Sequence, residues 1–130
     1  MSRARSKSQF RSYFEEDVAK VLKKGFEYEP FTVPYTVHRR YCPDFVHTES
    51  GTLVECKGFF REGDTKKYTS VRDCLPEGQR LVFVLMKPEK KVRKGAKMTM
   101  AQWCDKERIA WYSLEMLEEL IDDVTNIRRD

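Results

Sequence analysis

Long apolar runs are missing from this sequence, and no stretch reaches the length that a membrane-spanning helix needs. The basic start, Met1-Ser2-Arg3-Ala4-Arg5-Ser6-Lys7-Ser8, is not followed by the apolar core of a signal peptide. The expectation from both absences is a soluble, intracellular protein with no membrane partner. Metal-binding spacing is scarce as well. The four cysteines, Cys42, Cys56, Cys74 and Cys104, are widely separated without a CxxC pair, and only His38 and His47 could complete a zinc site. The cysteines therefore read as reduced thiols, some of them buried, rather than as zinc ligands or disulfides. No internal repeat and no low-complexity block is present, which sets aside repeat arrays and compositionally disordered chains.

What is there suits one globular domain. The 130 residues are 40% apolar, and a chain of that length buries roughly two-thirds of its unfolded surface without disulfide staples. Charged residues are abundant at 35%, yet the net charge is only +4. That balance permits a polyanionic partner without requiring one.

Residues 1–9 read as a flexible basic arm, and residues 10–130 as the single domain. Phe10, Tyr13, Phe14, Val18, Val21 and Leu22 recur at helical spacing, predicting an amphipathic helix of about four turns. Ser12 with Glu15 looks like a capping box at its start, and Gly25 is expected to end it. Residues 27–37 alternate and read as extended, but Pro30 and Pro34 exclude a central, fully paired strand. Asp44 to His47 and Thr52 to Cys56 are expected strands, joined by a hairpin turn over Thr48-Glu49-Ser50-Gly51. A helix is expected from about Thr65 to Cys74, then a strand buried on both faces over Leu81 to Met86. A basic loop spans Lys87 to Lys97. Thr99 with Gln102 looks like a second capping box, opening a short helix to about Lys106. A strand over Arg108 to Tyr112 follows, and Ser113 is expected to cap a last helix with Leu114, Leu117, Leu120, Ile121 and Val124 on its apolar face. The order α-β-β-β-α-β-α-β-α predicts an α/β domain, a mixed β-sheet flanked by helices.

The chemistry concentrates in Pro43-Asp44, the hairpin, and Glu55-Cys56-Lys57. Adjacent strands bring Asp44 and Glu55 together, and Glu55 and Lys57, two apart on one strand, share a face. Two converging carboxylates form a hard oxygen site suited to Mg²⁺ or Mn²⁺, to which the Cys56 carbonyl adds a further oxygen. A lysine beside them can orient or deprotonate a water, or stabilise charge on a phosphate. Such a set answers the demands of phosphodiester hydrolysis, with one or two ions per site. Glu15 is the candidate for a further carboxylate. Each residue also has a plainer reading. Pro-Asp at a strand start is common turn chemistry, Glu-x-Lys is common on solvated strand faces, and Glu15 suits a helix cap.

Pro43-Asp44 with Glu55-Cys56-Lys57 resembles the PD-(D/E)XK nuclease signature. More closely, the chain resembles the endonuclease I family of T-odd bacteriophages, which are Holliday junction resolvases. The matching stretches include Phe10-Arg11-Ser12 leading to Glu15, Phe26-Glu27-Tyr28-Glu29, Val33-Pro34-Tyr35, Pro43-Asp44-Phe45, Val54-Glu55, Lys57-Gly58, Lys66-Lys67, Val82-Phe83 and Trp103-Cys104. They run in the family's order from about Phe10 to Tyr112. The resemblance implies paired nicking of branched double-stranded DNA with Mg²⁺ or Mn²⁺ and no small-molecule cofactor. By position, Glu15 corresponds to the helix carboxylate, Asp44 and Glu55 to the central metal ligands, and Lys57 to the catalytic lysine. It also implies an intertwined, domain-swapped homodimer. An extended bridge, here residues 31–37, would exchange elements, and each site would take its Glu15 from the other chain. For a phage-encoded protein the location would be the host cytoplasm. Three departures stand out: residues 37–41 are shorter than the family pattern, the Asp44–Glu55 hairpin is about one residue longer, and the segment from Ser113 matches least.

Candidate DNA contacts are Lys90, Lys91, Arg93, Lys94 and Lys97 in the basic loop, Arg39 and Arg40 after the bridge, and Lys66, Lys67 and Arg72 on the helix after the site strand. Arg3, Arg5 and Lys7 form the arm. Backbone contacts of this kind position DNA without reading sequence, and no recognition-helix motif is present. Tyr13, Phe14, Phe59, Phe60, Trp103 and Trp111 are aromatic candidates for base stacking, although core packing is the commoner fate at such spacings. Two other readings remain open: a nicking or homing-type endonuclease acting on nicked or duplex DNA, and a non-catalytic protein that binds branched DNA.

Overall fold

A computed structural model describes residues 9–126, so the basic arm with Arg3, Arg5 and Lys7 lies outside the described residues. The chain divides into two units, Met1–His38 and Arg39–Asp130.

The first unit is built on helix α1, Tyr13–Val21. Ser12 caps it, its hydroxyl accepting from the Glu15 N–H at 3.1 Å. The Glu15 carboxylate reaches back one residue further than a capping box would take it, accepting from the Arg11 N–H at 2.9 Å. The helix is shorter than its apolar spacing suggests. Leu22 is already extended, and the chain turns through Lys23 to Phe26 with Gly25 at φ 94°. The physical reason is that short helices depend on packing, and no residue of α1 is buried. Phe14, Val18, Val21 and Leu22 all stay exposed. Residues 27–37 carry no strand pairing. The two prolines cannot donate to a ladder. Phe31, Val33, Tyr35 and Val37 remain exposed along this segment.

The second unit is a four-stranded mixed sheet flanked by helices. Its elements are β1 (Phe45–His47), β2 (Thr52–Lys57), α2 (Asp64–Cys74), β3 (Arg80–Leu85), α3 (Met100–Lys106), β4 (Ala110–Ser113) and α4 (Leu117–Thr125). The sheet order is β1-β2-β3-β4, with β1 antiparallel to β2 and the other two pairings parallel. The hairpin turn closes as the residues dictate, with Gly51 at φ 74° donating its N–H to the His47 carbonyl at 2.9 Å. The apolar run of β3 is central, and Leu81, Val82, Phe83 and Leu85 are all buried.

Alternation along the strands divides the core in two. Leu53, Leu81, Phe83 and Leu85 pack on one face with Phe60, Tyr68, Met100, Trp103 and Cys104. Val54, Val82 and Tyr112 pack on the other with Leu120 and Val124. The capping box at α3 forms in both directions between Thr99 and Gln102. Ser113, in contrast, makes no side-chain cap. A 3-10 turn over Leu114–Met116 intervenes before α4. Leu114 falls in that turn rather than on the helix and is exposed; Ile121, expected on the apolar face of α4, is exposed as well, while Leu117, Leu120 and Val124 pack against the sheet. No helix among the described residues is long and apolar enough to cross a membrane.

Candidate active site

The end of β2 gathers the site. The β1–β2 register pairs Phe45 with Val54, and continued by one residue it sets Asp44 opposite Glu55. Strand β1 stops short of Asp44, whose carboxylate replaces the missing ladder bond and accepts the Cys56 N–H at 2.8 Å. Glu55 and Lys57 project from the same face of β2, the one covered by α2. That covering leaves Glu55 only 8% exposed, a costly position for a carboxylate unless its oxygens are partnered.

They are partnered throughout. The Tyr41 hydroxyl donates to one carboxylate oxygen of Glu55 at 2.5 Å, and the Tyr68 hydroxyl donates to the other at 3.0 Å. Burial first, and then the hydrogen bond to Glu55, pushes both phenols well above their ordinary range, so both remain donors. The Lys57 ammonium lies 3.8 Å from Glu55 and 3.3 Å from Asp64, with its side chain 16% exposed. Asp64 is itself buried and also accepts the Arg61 N–H at 2.8 Å. Among the described residues no buried side-chain polar atom lacks a partner. Burial, then the Asp44 and Glu55 charges, raises the Cys56 thiol, which holds it neutral beside the carboxylates.

Glu15 belongs to the first unit, apart in the chain from Asp44, Glu55 and Lys57 of the second. There its carboxylate accepts from the Tyr28 hydroxyl at 2.7 Å as well as from Arg11, and the Tyr28 bond is the largest cause of its lowered pKa. Phe10 packs edge-on against Tyr28 at 4.6 Å, fixing that phenol.

The chemistry of the donor set decides whether a divalent ion fits. Among the described residues no group of three or more His, Cys, Asp or Glu side chains gathers as a metal cage. Mg²⁺ does not ask for one, since it binds through one or two carboxylates and fills the rest of its shell with water and substrate phosphate. Asp44 and Glu55 are oxygen donors of that kind, with the Cys56 carbonyl beside them, and no thiolate or imidazole competes. The donor set therefore fits Mg²⁺ or Mn²⁺.

Sequence reasoning missed Tyr41, Tyr68 and Asp64. The signal available was an acidic residue opening the helix that follows the site strand, with Tyr68 four residues on along the same helix face. Of the candidate DNA contacts, Arg39, Arg40, Lys66, Lys90, Arg93, Lys94 and Lys97 are exposed. The loop carrying the last four is pinned by buried Val92 and by a bridge between Lys91 and Thr99. Lys91 donates to the Lys97 carbonyl at 2.9 Å. Arg72 donates to the Glu107 carbonyl at 2.5 Å and pairs with its carboxylate at 3.2 Å, tying α2 to the start of the β4 approach. Of the aromatic candidates, Phe60 and Trp103 are core, Trp111 donates to Asp105 at 3.0 Å, and Tyr13, Phe14 and Phe59 are exposed.

No curated protein matches the chain. The model of the phage endonuclease I family matches residues 1–125, a span that takes in the first unit and the second as far as residue 125, the site included. The chain therefore belongs to the phage endonuclease I family and is a phage-type nuclease whose substrate is DNA.

Proposed function

We propose that the protein is a Mg²⁺- or Mn²⁺-dependent endonuclease that resolves four-way and other branched double-stranded DNA by paired nicks near the branch point, working as a homodimer in the host cytoplasm. The observation that carries the catalytic part is the convergence of Asp44, Glu55 and Lys57 at the end of β2, inside the span matched by the family.

A divalent ion bound there would neutralise the scissile phosphate and acidify a bound water. The protein's own groups do the rest. Asp44 and Glu55 supply hard oxygens, and Asp44 is fixed by the Cys56 N–H. Tyr41 and Tyr68 hold both oxygens of Glu55 in one orientation. Lys57 carries a proton-bearing ammonium over the same carboxylate, suited to orient a water or to stabilise charge on phosphate oxygens. Lys66, Lys90, Arg93, Lys94 and Lys97, with Arg39 and Arg40, are cationic surface for the DNA backbone, a kind of contact that reads shape rather than base sequence.

The homodimer has its own support. Among the described residues no residue of α1 is buried, and Phe14 and Val21 are 74% and 78% exposed, an apolar face that a second copy of the chain would cover on this reading. The proline-bearing segment 31–37 forms neither helix nor strand pairing among the described residues, which is compatible with a bridge that passes between copies. On this reading Glu15 serves the site of the other chain.

The test is cleavage of a fixed four-way junction, with linear duplex of matching sequence as control, in Mg²⁺ and in EDTA. Metal-dependent paired nicks near the branch point, with duplex spared, are expected. Equal cutting of both substrates would point instead to a less selective nicking or homing-type enzyme. Glu55→Ala and Asp44→Ala should each abolish cutting while leaving junction binding in place, and full activity in either variant removes the site assignment.

A further inference from the structure

The α2 helix brings a second ammonium to the site. Lys67 Nζ lies 5.2 Å from the centre of the Tyr68 ring and 5.7 Å from that of Tyr41. These are the two rings whose hydroxyls hold Glu55, and they pack edge to face at 5.9 Å. Lys57 Nζ approaches the Tyr68 ring as well, at 4.9 Å. The two lysines differ in what neutralises them. Lys57 is half-sheltered between Asp64 and Glu55, at 3.3 and 3.8 Å. Lys67 is exposed, and among the described residues its ammonium meets no carboxylate. A ring face orients a cation without cancelling its charge. The site thus holds one cation committed to carboxylates and one kept in place yet electrostatically available.

We infer that Lys67 is a second catalytic cation, which touches non-bridging oxygens of the phosphate under attack and stabilises the charge that builds there. The inference rests on the nuclease reading of Asp44, Glu55 and Lys57. It separates Lys67 from its neighbour Lys66 and from the 87–97 loop, whose contacts hold DNA equally in ground and transition states. A group that acts on developing charge shows in the rate at saturation, whereas a positioning contact shows in affinity.

The test uses the full chain and a four-way junction. Junction affinity is measured in EDTA, single-turnover cleavage at saturating protein in Mg²⁺, and thermal unfolding confirms that each variant is folded. Lys67→Met keeps the length of the side chain over the rings and removes the charge; Lys67→Gln is a second neutral variant. Both are expected to lose about 100-fold in the saturated rate, the scale of one lost stabilising contact. Affinity should stay within about threefold, and Lys67→Arg should recover most of the rate. Weakened affinity with an unchanged saturated rate would make Lys67 an ordinary backbone contact, and no change in either would make it a solvated lysine; each overturns the inference while leaving the nuclease reading intact. A wild-type chain that cuts no DNA with Mg²⁺ or Mn²⁺ overturns both readings together, and it is told apart by the wild-type lane alone.

Discussion

A lysine can serve a reaction only if it is kept from the carboxylate it stands beside. Lys57 is 3.8 Å from Glu55 but 3.3 Å from Asp64, so the nearer and better-oriented partner is the one outside the strand. Asp64 is fixed in turn by the Arg61 N–H. Asp64→Asn retains an oxygen for Arg61 and removes the charge facing Lys57, so the loop before α2 should stay folded while Lys57 loses its tether. Cleavage should fall about 10- to 100-fold, the usual cost of removing a group that orients a site residue. Junction affinity in EDTA should hold. An unchanged saturated rate in a folded Asp64→Asn protein would show that Lys57 needs no such tether. Burial acts differently on Cys104, which is fully enclosed by the α2–α3 side of the core and whose thiol is pushed from 9.0 up to about 12. The raised value gives the sign. The unfolded thiol releases its proton near 9.0 and the folded one only near 12, so its contribution to stability is whole below pH 9.0 and shrinks as pH rises toward 12. Denaturant unfolding should therefore lose stability more steeply above pH 9.0 for the wild type than for Cys104→Ala, and parallel slopes would count against this account.

At the scale of elements, the hairpin sets the register that places Asp44 opposite Glu55, and one glycine closes it. Gly51 has φ 74°, and a Cβ there would stand 2.2 Å from the Gly78 carbonyl oxygen. Backbone strain and collision act together, so Gly51→Ala should cost on the order of 3 kcal/mol, read as a lowered denaturation midpoint. A loss below about 0.5 kcal/mol, the ordinary range for a surface substitution, would mean that the turn relaxes freely. The same hairpin illustrates what the sequence discloses. Elements whose cause is local were legible: the turn at Gly51, the reciprocal Thr99–Gln102 cap, and the β3 run, buried on both faces from Leu81 to Leu85, although Met86, expected to close it, lies past the strand and is exposed. Elements whose end depends on distant packing were not. The apolar spacing of α1 runs on past Val21, but none of its described residues is buried, and the helix stops early. Ser113 has the chemistry of a cap, yet the turn over Leu114–Met116 comes first. The site divides in the same way. Asp44, Glu55 and Lys57 follow from alternation and one hairpin, while Tyr68 meets Glu55 across 13 residues only because α2 folds back over the sheet, and Tyr41 reaches it across 14 residues from the segment before β1.

At the scale of the whole molecule, the proposed dimer turns on whether Glu15 serves the site of its own chain or of a second copy. Its carboxylate is ordered inside the first unit by Arg11 and Tyr28, whereas Asp44, Glu55 and Lys57 are ordered inside the second. If Glu15 belongs to the site, as proposed, the two groups of residues are each ordered within their own unit, which is the condition under which halves could be exchanged between copies. If sites are shared across a dimer, a Glu15→Ala chain and an Asp44→Ala chain fail for different reasons, and a mixed dimer contains one site with both residues intact. Refolding an equimolar mixture should then restore single-strand nicking of a junction to roughly a quarter of the wild-type site content, because half of randomly assorted dimers are mixed and each holds one working site of two. Paired cuts should stay rare, since the second site of every mixed dimer carries both lesions. Size-tagged chains establish that exchange has occurred. If exchange is complete and nicking does not return, Glu15 either acts within its own chain or serves only to start α1. Glu15→Gln, which keeps an acceptor for Arg11 and Tyr28, separates these two: loss of cutting in a folded protein assigns a catalytic carboxylate, while retained cutting leaves it a cap.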